Sequence, residues 1–135
     1  MAYSYYYGNH SRYGYCKITR NGISYDGARY HFKCMHVDSF RYDYGTKNEN
    51  LLSVIDNLKY FDQLYIIKLN DLGYQVEDVL DVLNLLMEKD ITLVDEFKEI
   101  DISATYDYIS EHFGKDYYIN FDKHCLPIYR EDKLI

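Results

Sequence analysis

With 135 residues and 16.2 kDa, of which 47% are apolar and 27% charged, and with a single Pro, the chain has the size of one domain and enough apolar content for a packed core. No apolar run approaches the ~18 residues of a membrane span and no charged-then-apolar leader opens the chain. Charge is divided: residues 1–50 carry seven Lys/Arg against four Asp/Glu, whereas residues 51–135 carry eight against eighteen, a balance of −10 that is wrong for gripping duplex phosphates.

The first element in chain order is a Tyr-rich segment over residues 1–12, with Tyr3, Tyr5, Tyr6 and Tyr7 in five positions. Ten of the 18 tyrosines lie in residues 1–44. Tyrosine joins a large apolar body to a polar tip, so such density reads as contact surface, with a mobile low-complexity terminus as the alternative. Tyr13–Thr19 is β-prone and ends at the turn signal Arg20-Asn21-Gly22. Residues 29–37 alternate in parity, with Tyr30, Phe32 and Cys34 on one side, which predicts a strand. Asp43–Lys47 reads as a loop.

Asn48 is placed to cap a helix whose apolar face is Leu51, Leu52, Val54, Ile55 and Leu58. Leu64–Leu69 suits a strand covered on both faces. Gln75–Lys89 has apolar residues at i, i+3, i+4 and i+7 and predicts a helix that stops at Asp90. Ile91–Val94 follows as a strand. Strand, helix, strand with short connections is a βαβ unit, so these two strands should be parallel. Ser103 is placed to cap a helix over Ala104–Phe113, and Tyr117–Phe121 and Leu126–Tyr129 read as two further strands. The sum is a single α/β domain over residues 13–135, with a mostly parallel sheet and flanking helices.

Several of these stretches resemble one family. Lys68-Leu69-Asn70-Asp71-Leu72-Gly73-Tyr74, the acidic helix after it, Ile91-Thr92-Leu93-Val94 and Ile100-Asp101-Ile102-Ser103 are similar to the catalytic domain of serine recombinases, the resolvase/invertase family. That family has a strand ending K-L-D-R-L-G-R, a helix, a V-x-F-V strand and I-D-T-S. Tyr15-Cys16-Lys17-Ile18-Thr19 resembles its opening Y-A-R-V-S, and Leu51–Leu58 with Asp62 resembles its helix before L-x-x-G-D-x-L-x-V. The resemblance is fullest over residues 51–103 and implies a resolvase-like core.

The departures fall on the chemistry. The family attacks a DNA phosphate with a serine and stabilises the developing charge with arginines, so loss of the cations removes most of the catalysis. Here the serine position is Thr19 and its neighbouring arginine position is Lys17; the D-R-L-G-R stretch is Asn70-Asp71-Leu72-Gly73-Tyr74, an acid and a tyrosine where arginines belong. The arginine before the 51–58 helix matches Lys47 or Asn48. The family's long dimerisation helix and helix-turn-helix have no counterpart in these 135 residues.

Other constellations are weaker. Cys16, His31, Cys34 and His36 lack the paired spacing of a zinc site, and His31 falls on the other strand parity from Cys34 and His36. The scattered glycines form no phosphate-cradling loop. Asp71, Glu99 and Asp101 could gather as an acid cluster at the strand ends, although helix capping is the favoured role for Asp71 and Asp101.

The sequence therefore predicts a non-catalytic, recombinase-like binding protein of the cytoplasm, without cofactor or metal. It would work through protein contacts, with a partner bearing a basic surface. A phage or mobile-element setting follows from the resemblance, with a host nucleic-acid-binding protein as target. The expected contact residues are Tyr5, Tyr6, Tyr7, Tyr13, Arg12, Arg20 and Arg29. A DNA strand-transfer enzyme or nuclease using Thr19 with Lys17 is the alternative; single-strand binding through the tyrosines is another. An exposed Tyr-rich patch would favour a dimer.

Overall fold

The computed structural model describes residues 11–37, 39–96, 98–118 and 127–130. The expected contact residues Tyr5, Tyr6 and Tyr7 lie outside them. Five strands, β1 (Arg12–Ile18), β2 (Phe40–Tyr44), β3 (Gln63–Ile66), β4 (Thr92–Asp95) and β5 (Lys98–Glu99), form one sheet in the order β2-β1-β3-β4-β5. Every pairing is parallel except β4 with β5. Among the described residues three helices connect them, α1 (Tyr25–Cys34), α2 (Glu49–Asn57) and α3 (Val76–Glu88), and a fourth, α4 (Ile102–His112), follows β5. A 3-10 turn, Leu69–Leu72, follows β3. None of the described helices is long and apolar enough to cross a membrane.

Chain direction fixes the layers. Parallel crossovers are right-handed, and the step from β1 to β2 runs opposite to those from β2 to β3 and from β3 to β4. Helix α1 therefore covers one face and α2 and α3 the other. The larger core joins Leu51 and Ile55 of α2, Val79 and Leu83 of α3, and Leu64 and Leu93 of the sheet. The smaller core, under α1, joins Ala28, Phe32 and Met35 to Cys16, Ile18 and Val94.

The α3 reading matches the observed helix to one residue at each end. Asp90 (φ 53) takes the left-handed position after it, and Ile91 N–H closes on Leu86 O at 3.0 Å in a Schellman turn. Strands β3 and β4 are parallel, as the βαβ pattern requires.

The strand expected over 29–37 is instead the C-terminal part of α1. Ala28, Phe32 and Met35 are the buried residues, at helical spacing, and the parity pattern is incidental. Ser24 Oγ caps the first turn by accepting from Gly27 N–H at 3.1 Å, and His36 (φ 60) ends the helix with Val37 N–H on Phe32 O at 2.9 Å. The loop expected at Asp43–Lys47 starts later, because Asp43 and Tyr44 belong to β2. The cap of α4 is Asp101 rather than Ser103: its Oδ1 accepts from Ala104 N–H at 3.0 Å. Tyr117 and Tyr118 are not in a strand, and residues 119–121 lie outside the described residues. The expected strand at 126–129 is a single antiparallel bridge, Ile100 with Tyr129.

Asn48 stands at the head of α2, but its side chain caps nothing; a buried carboxylate from β2 does the work. Asp43 Oδ1 accepts from Asn50 N–H at 3.1 Å, and Oδ2 accepts from Leu51 N–H at 3.1 Å and from Tyr15 O–H at 2.6 Å. One carboxylate thus ties β2, β1 and α2 together. Burial, and then the bond to Asp43, raise the pKa of the Tyr15 hydroxyl.

Asp43→Ala leaves two buried donors, Tyr15 O–H and Leu51 N–H, and the part-buried Asn50 N–H without an acceptor. At about 1–3 kcal/mol for each buried donor, urea denaturation should show a loss of about 2 kcal/mol or more. Adding Tyr15→Phe should recover part of it, since the orphaned hydroxyl is removed, and a double-mutant cycle reads that coupling directly.

Candidate functional site

The reversal of strand order falls between β1 and β3. Open α/β sheets bind ligands outside the carboxyl ends of the strands at such a point. A cleft of about 170 Å³ lies there. Thr19 and Lys17 line it from the end of β1, Gly45 from the end of β2, and Lys68, Asn70 and Tyr74 from the segment after β3. Five of the positions at which the resemblance locates chemistry, Lys17, Thr19, Asn70, Asp71 and Tyr74, converge on this cleft although they are up to 57 residues apart in sequence. Lys47 and Asn48, the candidates for the arginine before the 51–58 helix, do not line it.

Local geometry is set by turns and close approaches. Gly22 N–H closes a turn onto Thr19 O at 3.2 Å, and a Cβ on Gly22 would stand 2.4 Å from Thr19 Oγ1, so the threonine hydroxyl sits against the glycine. Gly73 lets the chain pass the first turn of α3, where an added Cβ would meet Asp78 Cβ at 2.6 Å and Val79 N at 2.8 Å. The start of α3 is not open to an anion: Val76 N–H and Glu77 N–H donate to Tyr117 O and Lys115 O, each at 3.0 Å.

Asp71 is the central group. It borders the cleft but is only 4% exposed, and both oxygens of its carboxylate are taken by backbone amides. Oδ1 accepts from Lys17 N–H at 3.1 Å; Oδ2 accepts from Ile67 N–H at 3.1 Å and Lys68 N–H at 3.0 Å. It neither caps α3, whose Gln75 N–H is taken by Asp78 at 3.2 Å, nor joins an acid cluster. Asp101 caps α4, Glu99 pairs with Arg130 at 3.5 Å, and no group of three or more His, Cys, Asp or Glu among the described residues is placed to hold a metal ion. Cys16 is buried in the sheet while Cys34 is exposed on α1, so the Cys/His grouping is also dispersed.

Burial pushes the Asp71 carboxyl up from 3.8 to about 6, against the pull of its three amide bonds. Burial, and then the negative charge of Asp71, push the Cys16 thiol up to about 12. Lys17 Nζ donates to Lys47 O, and burial lowers its pKa, opposed by Asp43, Asp71 and Asp78. Asn70 Oδ1 is buried and accepts no hydrogen bond among the described residues. Among the described residues the cations lining the cleft are the lysines Lys17 and Lys68, and no arginine lines it.

The other expected contact residues do not share one surface. Tyr13 is half-buried against the larger core. Arg12 opens β1 and Arg20 follows its far end, at opposite ends of a strand about 20 Å long. Arg29 lies on α1. What the sequence reading missed is an aromatic row on β2 and α1. Tyr25 packs on Phe40 and Tyr42 with ring centroids 5.5 and 5.4 Å away, Phe32 stacks on Phe40 at 4.9 Å, and Tyr42 meets Tyr44 at 5.3 Å. The alternation Phe40, Tyr42, Tyr44 was the available signal.

No protein-family model matches the chain, and no curated protein matches it. The class is therefore the one that fold and cleft define: an α/β protein with a five-stranded, mostly parallel sheet and a cleft at its topological switch point.

Two measurements follow from the buried groups. The folded state holds a proton on Asp71 more tightly than the unfolded chain does. Its contribution is thus most favourable below pH 4 and is lost as pH rises through about 6. Between pH 7 and pH 4.5 wild type should gain on the order of 2 kcal/mol relative to Asp71→Asn, read by denaturant titration at each pH. Iodoacetamide should alkylate Cys34 in the native protein and Cys16 only after unfolding, as peptide mass spectrometry would record.

Proposed function

We propose that the chain is a non-catalytic binding protein that acts through protein–protein contacts. The observation supporting this reading is the chemistry of the switch-point cleft. Five of the positions matching a phosphoryl-transfer site converge there, yet among the described residues no arginine lines the cleft, and the carboxylate of Asp71 holds backbone amides. Electrostatic stabilisation of a phosphoryl transition state needs preorganised cations, and Lys17 already donates to Lys47 O.

The resemblance extends the proposal to a degenerate recombinase-type core of phage or mobile-element origin. The −10 balance of residues 51–135 extends it to a partner with a basic surface, such as a host nucleic-acid-binding protein. The competing reading, strand transfer by Thr19 with Lys17, draws on the fact that both residues line the cleft.

Incubation with single- and double-stranded DNA, followed by denaturing electrophoresis, separates the two. The binding-protein reading expects no covalent adduct, together with a stoichiometric protein partner retained from host lysate after nuclease treatment. A covalent adduct that disappears in Thr19→Val would overturn it.

A further inference from the structure

We propose that the flank formed by β2 and α1 is a docking surface for an acidic protein segment that carries apolar anchor residues. The inference deepens the protein-binding reading and rests on it. Tyr25, Tyr42 and Tyr44 form a connected row with Phe40 on the side of the sheet that α1 leaves open; Tyr25 is 46% and Tyr44 61% exposed. Clustered rings with polar tips are the composition of a protein-contact centre.

Charge around the row selects the partner. Tyr25, Arg29 and Lys33 fall at i, i+4 and i+8 on α1, so both cations continue the helix row that begins at the ring touching β2. Arg41, between Phe40 and Tyr42 on β2, points to the opposite face of the sheet, where its guanidinium meets Asn50 Oδ1 of α2 at 2.9 Å, and so does not belong to the row. Lys47 follows Tyr44 and donates its N–H to Tyr44 O. Among the described residues the exposed carboxylates Asp26 and Glu49 stand against the three cations Arg29, Lys33 and Lys47; Asp43, on the same strand, is buried and bonded inward. This flank is basic on a protein whose formal net charge is −7.

Three other occupants fit less well. Ser39 O and Gly45 N–H bond across to β1, so the odd-numbered residues of β2 face inward and Phe40, Tyr42 and Tyr44 turn their backbone to the free edge. On that edge Tyr42 O already accepts from Asn50 Nδ2 at 2.7 Å and Tyr44 O from Lys47 N–H at 3.2 Å, which blocks addition of another strand. A second copy packed about a two-fold axis would set the cationic row against itself. Single-stranded nucleic acid needs open ring faces, whereas Tyr25, Tyr42 and Tyr44 meet edge-on, with interplanar angles of 72° and 81°.

The test is an NMR titration of the full chain with a synthetic peptide of alternating glutamate with leucine and phenylalanine, and separately with oligo(dT). The proposal expects peptide-induced shifts at Tyr25, Arg29, Tyr42 and Tyr44, weaker binding at high salt, and at least tenfold weaker binding in Arg29→Glu/Lys33→Glu and in Tyr44→Ala. All three residues are exposed, so an unchanged spectrum of each free variant confirms its fold. Absence of peptide shifts on this flank, insensitivity to the charge reversal, or oligo(dT) shifting these residues in place of the peptide overturns it. A partner captured from lysate that binds Tyr44→Ala and the charge-reversed variant as well as wild type overturns this surface alone, whereas a Thr19-dependent DNA adduct overturns the binding-protein reading itself.

Discussion

The switch-point end of the sheet depends on one carboxylate accepting three backbone N–H groups. Parallel strands that separate to open a cleft must stop pairing, and the amides of Lys17, Ile67 and Lys68 are then left without ladder partners. Asp71 supplies the acceptor for all three, joining the end of β1 to the turn after β3. The cleft exists because this bond set replaces the ladder just where the strands part. The cost is a buried charge, visible in the upward shift of the Asp71 carboxyl.

The same device recurs at other strand ends. Asp62, 5% exposed, takes Ser11 N–H at 2.9 Å and Lys59 N–H at 2.8 Å where β1 and β3 begin. Asp43 takes Tyr15 O–H and the first amides of α2 where β2 ends. Short strands, two to seven residues long, have few ladder bonds, so cross-links from one buried oxygen pair to several donors fix register where the ladders run out. An Asp at position 71 is then explained by the backbone it holds.

Topology also decides what the surface offers. Among the described residues the reversed first crossover leaves α1 as the one helix on its face, and a ten-residue helix does not cover the edge strand beside it. The rings of β2 stay half-exposed there, with the cations of α1 next to them. The acidic residues gather elsewhere, along α3 and α4. One chain with a strongly negative second half thus keeps a basic, aromatic flank.

The sequence by itself determined α2, α3, β4 and most of β3, because their apolar periodicities are long or bounded by turn residues, and with them the parallel pairing of β3 and β4. The strand expected over Leu64–Leu69 ends at Ile66, and Leu69 opens the 3-10 turn. It also marked Lys17, Thr19, Asn70, Asp71 and Tyr74 as positions that belong together, through the resemblance. It misassigned α1, where ring alternation in Tyr30-His31-Phe32 imitates a strand and the capping Ser24 lies outside the window that carries the pattern. Only the tertiary structure decided the roles of Asp43, Asp62 and Asp71. Their donors lie as far as 54 residues away, on other strands, and nothing in a local pattern distinguishes a carboxylate that faces solvent from one folded inward onto distant amides.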